Sequence, residues 1–225
     1  MVRALGCPII EEIDTELAPL DAFELLRNKP FSFFLDSGMD PHKLGRYSFI
    51  GSEPFLVLKT RGSNINSIQT GVRKRFRGNP FDTLDDIFAT YRLDSSDSPV
   101  PFIGGAVGYF SYDLCHFIER LPGTAVDDLK LPECYFGFYD LVVAFDNPQG
   151  RVYIIATGFP ELRETERIER AAKRLNEVKD KLANTPSSGT RATLTPLSPS
   201  TEQVTLKGGF AHKEYVNAVD KARKY

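Results

Sequence analysis

The chain has 225 residues, 41% of them hydrophobic and 12% aromatic, which is ample for a packed core. Its net charge of −2 gives no overall pull toward nucleic acid or an anionic membrane surface. No apolar run approaches the ~20 residues needed to cross a bilayer, and the opening Met1–Glu16 turns acidic too soon for a secretory leader.

Strand-like runs fall at Val2–Ile13 and Phe31–Leu35. Between them Leu20, Phe23 and Leu26 recur at helical spacing, and Lys29-Pro30 ends the pattern. The turn cluster Asp36-Ser37-Gly38-Met39-Asp40-Pro41 follows, and then strands at Arg46–Gly51 and Phe55–Arg61. Ile65–Phe76 reads as a hairpin around Thr70-Gly71. Asn79-Pro80 opens a helix whose Phe81, Leu84, Ile87, Phe88 and Tyr91 share one face, with Asp82, Asp85 and Asp86 in its early turns, where the helix dipole favours acids.

A polar loop, Asp94–Pro99, precedes the glycine-rich stretch Pro101–Phe110. Cys134–Asp146 and Arg151–Gly158 read as two strands of a hairpin across Asn147-Pro148-Gln149-Gly150. A longer helix is expected from Pro160 to Ala183, with an apolar stripe of Leu162, Ile168, Ala172, Leu175, Val178 and Leu182. Glu166–Arg170, Glu169–Lys173 and Glu177–Lys181 stand at the favourable i,i+4 spacing on it. From Asn184 to Gly209 the composition shifts to Pro, Ser, Thr and Gly, the texture of a linker. Phe210–Tyr225 is a further helix with Tyr215, Val219, Ala222 and Tyr225 on one face and no stop signal, which reads as an element cut short. Strands dominate and antiparallel signals outnumber βαβ signals. The expected class is therefore α+β, a largely antiparallel sheet covered by helices.

Several segments carry chemistry-bearing side chains. Leu35-Asp36-Ser37 sets a carboxylate and a hydroxyl at the mouth of an apolar strand, suited to an ammonium group or, more plainly, to a side chain-to-backbone turn. Arg46, Tyr47, Ser48 and Phe49 bring together a guanidinium, a phenol and a hydroxyl, and Arg46 is suited to a two-pronged carboxylate contact. Gly104-Gly105-Ala-Val-Gly108 lacks the GxGxxG pattern and its βαβ setting, so it reads as a close approach of backbone to backbone. Arg73-Lys74-Arg75-Phe76-Arg77, the densest basic run, reads as the solvated face of a hairpin. His42, His116 and His212 lack metal-ligand spacing, and Asp113, His116 and Glu119 share a face only in a helix. Cys7, Cys115 and Cys134 form no CxxC pair, which fits a reduced, cytoplasmic setting better than a disulfide framework or a zinc site. No constellation amounts to a complete catalytic site.

Phe34–Gly51, Gly78–Asp82 and Gly104–Asp113 together resemble the N-terminal domain of the component I family of anthranilate synthase and aminodeoxychorismate synthase, in order and in spacing. The resemblance implies residues 1–183 as that domain, 184–209 as a linker, and 210–225 as the first helix of a chorismate-binding domain. Ala211 replaces the Ser that usually caps this helix. It implies an enzyme that aminates chorismate with Mg²⁺ and with ammonia from a glutamine amidotransferase subunit. The catalytic and metal-binding groups would lie in the C-terminal chorismate-binding domain, so no catalytic residue and no cofactor is expected here.

The family's N-terminal domain contributes to a tryptophan pocket. By resemblance, Leu35, Asp36 and Ser37 match its Leu-Glu-Ser segment, with Asp for Glu, while Arg46, Tyr47, Ser48 and Phe49 match its second segment. Asp36–Pro41 and Asp113–Glu119 resemble the branch leading to 4-amino-4-deoxychorismate and folate, with the anthranilate branch as the alternative. A free-standing ligand-binding module and an amidotransferase-docking protein are the competing expectations.

Overall fold

The computed structural model describes residues 7–37, 45–94, 97–123, 126–184, 209 and 211–224. The turn cluster beyond Ser37, His42, most of the Asn184–Gly209 stretch, Phe210 and Tyr225 lie outside the described residues. The chain divides into two compact units, Met1–Ser188 and Gly189–Tyr225.

The first unit is α+β and its strand pairings are antiparallel. Its strands are β1 (Ile9–Ile13), β2 (Phe33–Leu35), β3 (Tyr47–Gly51), β4 (Leu56–Arg61), β5 (Asn64–Gln69), β6 (Val72–Arg77), β7 (Gly105–Phe110), β8 (Cys134–Tyr139), β9 (Leu141–Asp146) and β10 (Arg151–Ala156). They form two five-stranded sheets, ordered β1-β10-β9-β3-β2 and β6-β5-β4-β8-β7. The helices are α1 (Pro19–Glu24), α2 (Pro80–Thr90) and α3 (Glu164–Ala183), with a 3-10 turn at Tyr112–Phe117.

Apolar periodicity explains the layers. In the first sheet, Ile50, Leu141, Val143, Val152 and Ile154 pack against Ala22 and Leu26, at and just past α1, and against Ala171, Leu175, Val178 and Leu182 of α3. Its opposite face, through Ala144, Tyr153 and Ile155, packs on Val100 and Ile103. A strand covered on both sides loses the apolar–polar alternation, and every residue of β9 is buried, the first five of them apolar. The second sheet packs Leu56, Leu58, Ile65 and Phe138 against Leu84 of α2. Each such side chain contributes ~1.5–3 kcal/mol on burial.

Local signals are honoured where they are self-contained. The Asn79 side chain caps α2 by accepting from the Phe81 N–H at 2.9 Å. The β5–β6 hairpin turns at Thr70 (φ 45) and Gly71 (φ 84), both left-handed, as the right-handed twist of a two-residue hairpin demands. A β-branched Thr is strained there. Thr70→Asn is expected to stabilise the protein by about 0.5–1 kcal/mol, read as a higher thermal midpoint; an unchanged or lower midpoint would refute the strain.

Three expectations need correction. The single strand read over Cys134–Asp146 is two strands, β8 and β9, which belong to different sheets and meet at Asp140. The last long helix starts at Glu164 rather than near Pro160, because the intervening backbone is engaged elsewhere: Glu161 N–H donates to Gly158 O, and Phe159 O accepts from Arg170 Nε. Its buried stripe is Arg167, Ala171, Leu175, Val178 and Leu182, while Leu162 and Ile168 are exposed. The face is turned because Arg167 is drawn inward to donate to the carbonyls of Cys7 (2.8 Å) and Thr157 (3.5 Å). Arg170 is likewise committed to Asp140, and Glu166 to Arg163.

The glycine-rich stretch forms β7, not a phosphate loop. A Cβ on Gly108 would overlap the Tyr135 carbonyl of β8, so this strand needs glycine for close approach. Beside it, Cys134 is fully buried, and burial pushes its thiol up to about 11 from an ordinary 9.0. Between those values the unfolded chain has released the proton and the folded chain keeps it. Stability should therefore fall as pH rises from about 9 to about 11. Cys134→Ala should flatten that limb in chemical denaturation at stepped pH, and an equally steep limb would rule the thiol out.

In the second unit, α4 (His212–Ala222) carries Tyr215, Val219 and Ala222 at helical spacing. Ala211 offers no side-chain acceptor, but Glu214 Oε2 accepts from the Ala211 N–H at 3.0 Å.

Candidate functional site

The residues singled out at Leu35–Ser37 and Arg46–Phe49 meet at one corner of the first sheet. β2 and β3 pair antiparallel with Phe33 opposite Gly51, Phe34 opposite Ile50 and Leu35 opposite Phe49. That register carries Asp36 alongside Ser48, whose hydroxyl donates to Asp36 Oδ1 at 2.7 Å. Ser48 is fully buried and accepts in turn from Asn147 Nδ2 at 3.0 Å. The chain Asn147–Ser48–Asp36 thus sets the orientation of an exposed carboxylate from behind.

Arg46 makes its two-pronged contact within the protein. Its Nη2 donates to Asp146 Oδ2 at 2.7 Å, and its Nε lies 3.1 and 3.2 Å from the two Asp146 oxygens. The Asp146 side chain is only 2% exposed, so the pair balances a buried charge. Hydrogen bonding to Asp146 raises the Arg46 guanidinium further above its ordinary value. Arg46 also lies over the Tyr47 ring, 4.8 Å from its centroid, and its carbonyl accepts from the Asn147 N–H at 2.9 Å.

Alternation along β3 sends Tyr47 and Phe49 to the face opposite Ser48. There Tyr47 stacks on Phe49 at 5.9 Å, and Phe49 meets the edge of Phe102 at 5.6 Å. Leu35, opposite Phe49, shares that face and is half exposed. Ser37 is exposed. The candidate residues therefore divide into a polar set, Asp36 and Ser48, and an aromatic set, Tyr47 and Phe49, on the two sides of one hairpin.

Sequence reasoning missed Asp146, Asn147, Phe102 and Tyr139. Tyr139 OH donates to the carbonyl of Phe31 at 2.7 Å and anchors the left-handed Phe31 (φ 54) just before β2. Burial pushes that phenol up to about 12. Asn147 and Asp146 were visible only as a turn and a strand end.

Mg²⁺ finds no fit among the described residues. Among the described residues no three His, Cys, Asp or Glu side chains gather as a metal site. The buried carboxylates of Asp140 and Asp146 are held by Arg170 and Arg174 and by Arg46. No helix among the described residues is long and apolar enough to cross a membrane.

The family model for chorismate binding enzymes matches residues 33–225. The chain belongs to the chorismate binding enzyme family. Its relatives include the anthranilate synthase component 1 of Acetivibrio thermocellus, 27% identical over 97% of this chain and 44% of that protein. The anthranilate synthase component 1 of Pseudomonas aeruginosa is 30% identical over 98% of this chain and 44% of that protein. In fold the chain resembles the anthranilate synthase component I structure from Streptococcus pneumoniae TIGR4, with a TM-score of 0.56 at 24% identity, covering 95% of this chain and 45% of that one. This member of the chorismate binding enzyme family thus spans less than half the length of these relatives.

Proposed function

We propose that these residues are the non-catalytic N-terminal part of a component I enzyme that aminates chorismate, and that they supply one wall of an amino-acid effector pocket. The carrying observation is the 2.7 Å hydrogen bond from Ser48 to Asp36, which joins the two segments that the family resemblance assigns to a tryptophan site. In this reading Asp36 faces the ligand ammonium, Ser48 and Asn147 hold it in place, and Arg46 is a strut rather than a ligand contact. The remaining wall, the Mg²⁺ site and the acid–base groups belong to a chorismate-binding domain. The ammonia comes from a glutamine amidotransferase subunit.

The finer reading is aminodeoxychorismate synthase component I, supported by Asp36 in place of Glu and by the Asp113–Glu119 segment. The second reading, anthranilate synthase component I, is favoured by the names of the relatives that span nearly this whole chain. Identifying the product made by the enzyme that contains this chain distinguishes the two: 4-amino-4-deoxychorismate or anthranilate.

The purified chain should turn over no chorismate when given Mg²⁺ and ammonia, and steady formation of either product would overturn the proposal. Calorimetric titration with tryptophan should show weak binding, reduced about tenfold or more in Asp36→Ala through loss of a charged hydrogen bond. Tryptophan binding untouched by that substitution would remove Asp36 from the pocket.

A further inference from the structure

The β6 strand is the outer edge of the second sheet, and all six of its residues are exposed. Its register against β5 sets Arg73 opposite Ile68, Arg75 opposite Asn66 and Arg77 opposite Asn64. Alternation places these three cations on one face, spaced about 7 Å apart. Lys59 and Arg61 of β4 stand opposite Asn66 and Asn64 and so share that face. Arg61 is paired with Asp127, Lys59 lies over the Tyr135 ring and Arg77 bonds the Ser63 hydroxyl. The Arg73 and Arg75 side chains have no partner among the described residues. A chain with an overall charge of −2 therefore carries, side by side on a strand edge, two guanidinium groups that are unpaired among the described residues.

The other face of the strand differs. Val72, Lys74 and Phe76 line a groove of about 410 Å³ together with Thr83 and Ile87 of α2. Val72 and Phe76 are both substantially exposed in it.

We infer that β6 receives an extended segment of a partner protein with alternating acidic and apolar side chains, added as a further strand to the second sheet. Main-chain hydrogen bonds would run along the open edge, carboxylates would meet Arg73 and Arg75, and apolar side chains would enter the groove beside α2. A second copy of this chain is a poor occupant, because two β6 edges would bring arginines against arginines. A single-stranded nucleic acid needs free ring faces for its bases, and Lys59 covers Tyr135 at 4.3 Å. This inference is independent of the effector-pocket reading.

The test uses the full chain and a short fluorescent peptide of alternating Glu and Val. Parallel arms use an alternating Lys and Val peptide, oligo(dT) and phosphatidylserine vesicles. Saturable binding of the acidic peptide alone is expected, weakened by salt and by backbone N-methylation, with slowed amide exchange over Val72–Arg77. Arg73→Glu with Arg75→Glu should weaken it at least tenfold while leaving the thermal midpoint near that of the parent. Arg75→Gln should lose less, which separates charge from folding. Five outcomes would each overturn the inference: no acidic-peptide binding, equal binding of the basic peptide, binding confined to oligo(dT), binding confined to vesicles, or a charge-reversed variant that binds as before. Self-association of that variant, with no peptide bound by the parent, would also overturn it and mark the arginines as guards of a bare edge.

Discussion

Gly158→Ala should destabilise the protein by about 3 kcal/mol, the sum of a left-handed backbone strain and a steric overlap. Gly158 follows β10 with φ 75, and a Cβ there would run into the carbonyl of Arg167 in the first turn of α3. That carbonyl is backbone within a helix and cannot swing aside. The first two turns are themselves fastened to this loop, since Arg167 donates to Thr157 O and Arg170 to Phe159 O. Separating helix from sheet to admit one methyl group would loosen both contacts. Gly150→Ala is the internal control: φ is 63, but nothing lies within 4 Å of its added Cβ. It should cost only the backbone strain, about 1 kcal/mol. Urea midpoints at a common slope give the comparison, and equal shifts at the two sites would sink the steric argument.

Asp140→Asn should cost about 3 kcal/mol. Asp140 stands where the chain leaves the second sheet and enters the first, and its side chain is only 1% exposed. Arg170 Nη2 approaches it at 3.1 Å and Arg174 Nη2 at 3.5 Å. Removing the acid leaves two cations without their central partner, a situation worth about 3–5 kcal/mol for fully buried groups. The lower end applies because the Arg170 side chain is 31% exposed and the Arg174 side chain 17%. Adding Arg174→Met to Asp140→Asn should recover part of the loss, as a double-mutant cycle would reveal. Glu24→Gln, which breaks the exposed pair with Arg27, should move stability by less than about 0.5 kcal/mol. An Asp140→Asn loss no greater than that would mean that the seam does not depend on its charge.

What the sequence made legible was what neighbours along the chain decide. The β5–β6 hairpin follows from Thr70-Gly71, the start of α2 from Asn79-Pro80, and the β9–β10 turn from Asn147–Gly150. The division of Cys134–Asp146 was hidden because β8 and β9 are equally apolar, and only packing against different partners separates them. One clue was present, Asp140, the one charged residue between Cys134 and Phe145. The rotation of the α3 stripe was hidden for a related reason, since Arg167 counts as polar in any periodicity yet is buried to serve two carbonyls. At the candidate site, Asp36 and Ser48 were within reach of sequence reasoning because a single hairpin joins them. Asp146 lies a hundred residues from Arg46, and pattern alone offers no way to pair them.

The strand order has a consequence for biosynthesis. Among the described residues β1 pairs only with β10, with Ile9 opposite Ala156 and Ile13 opposite Val152. On the ribosome this first strand emerges with three isoleucines and no sheet to join until β10 has cleared the exit tunnel. At roughly 5–20 residues per second, it waits on the order of ten seconds or longer as an unpaired sticky segment. Chaperones that bind extended apolar stretches would have their opportunity during that interval.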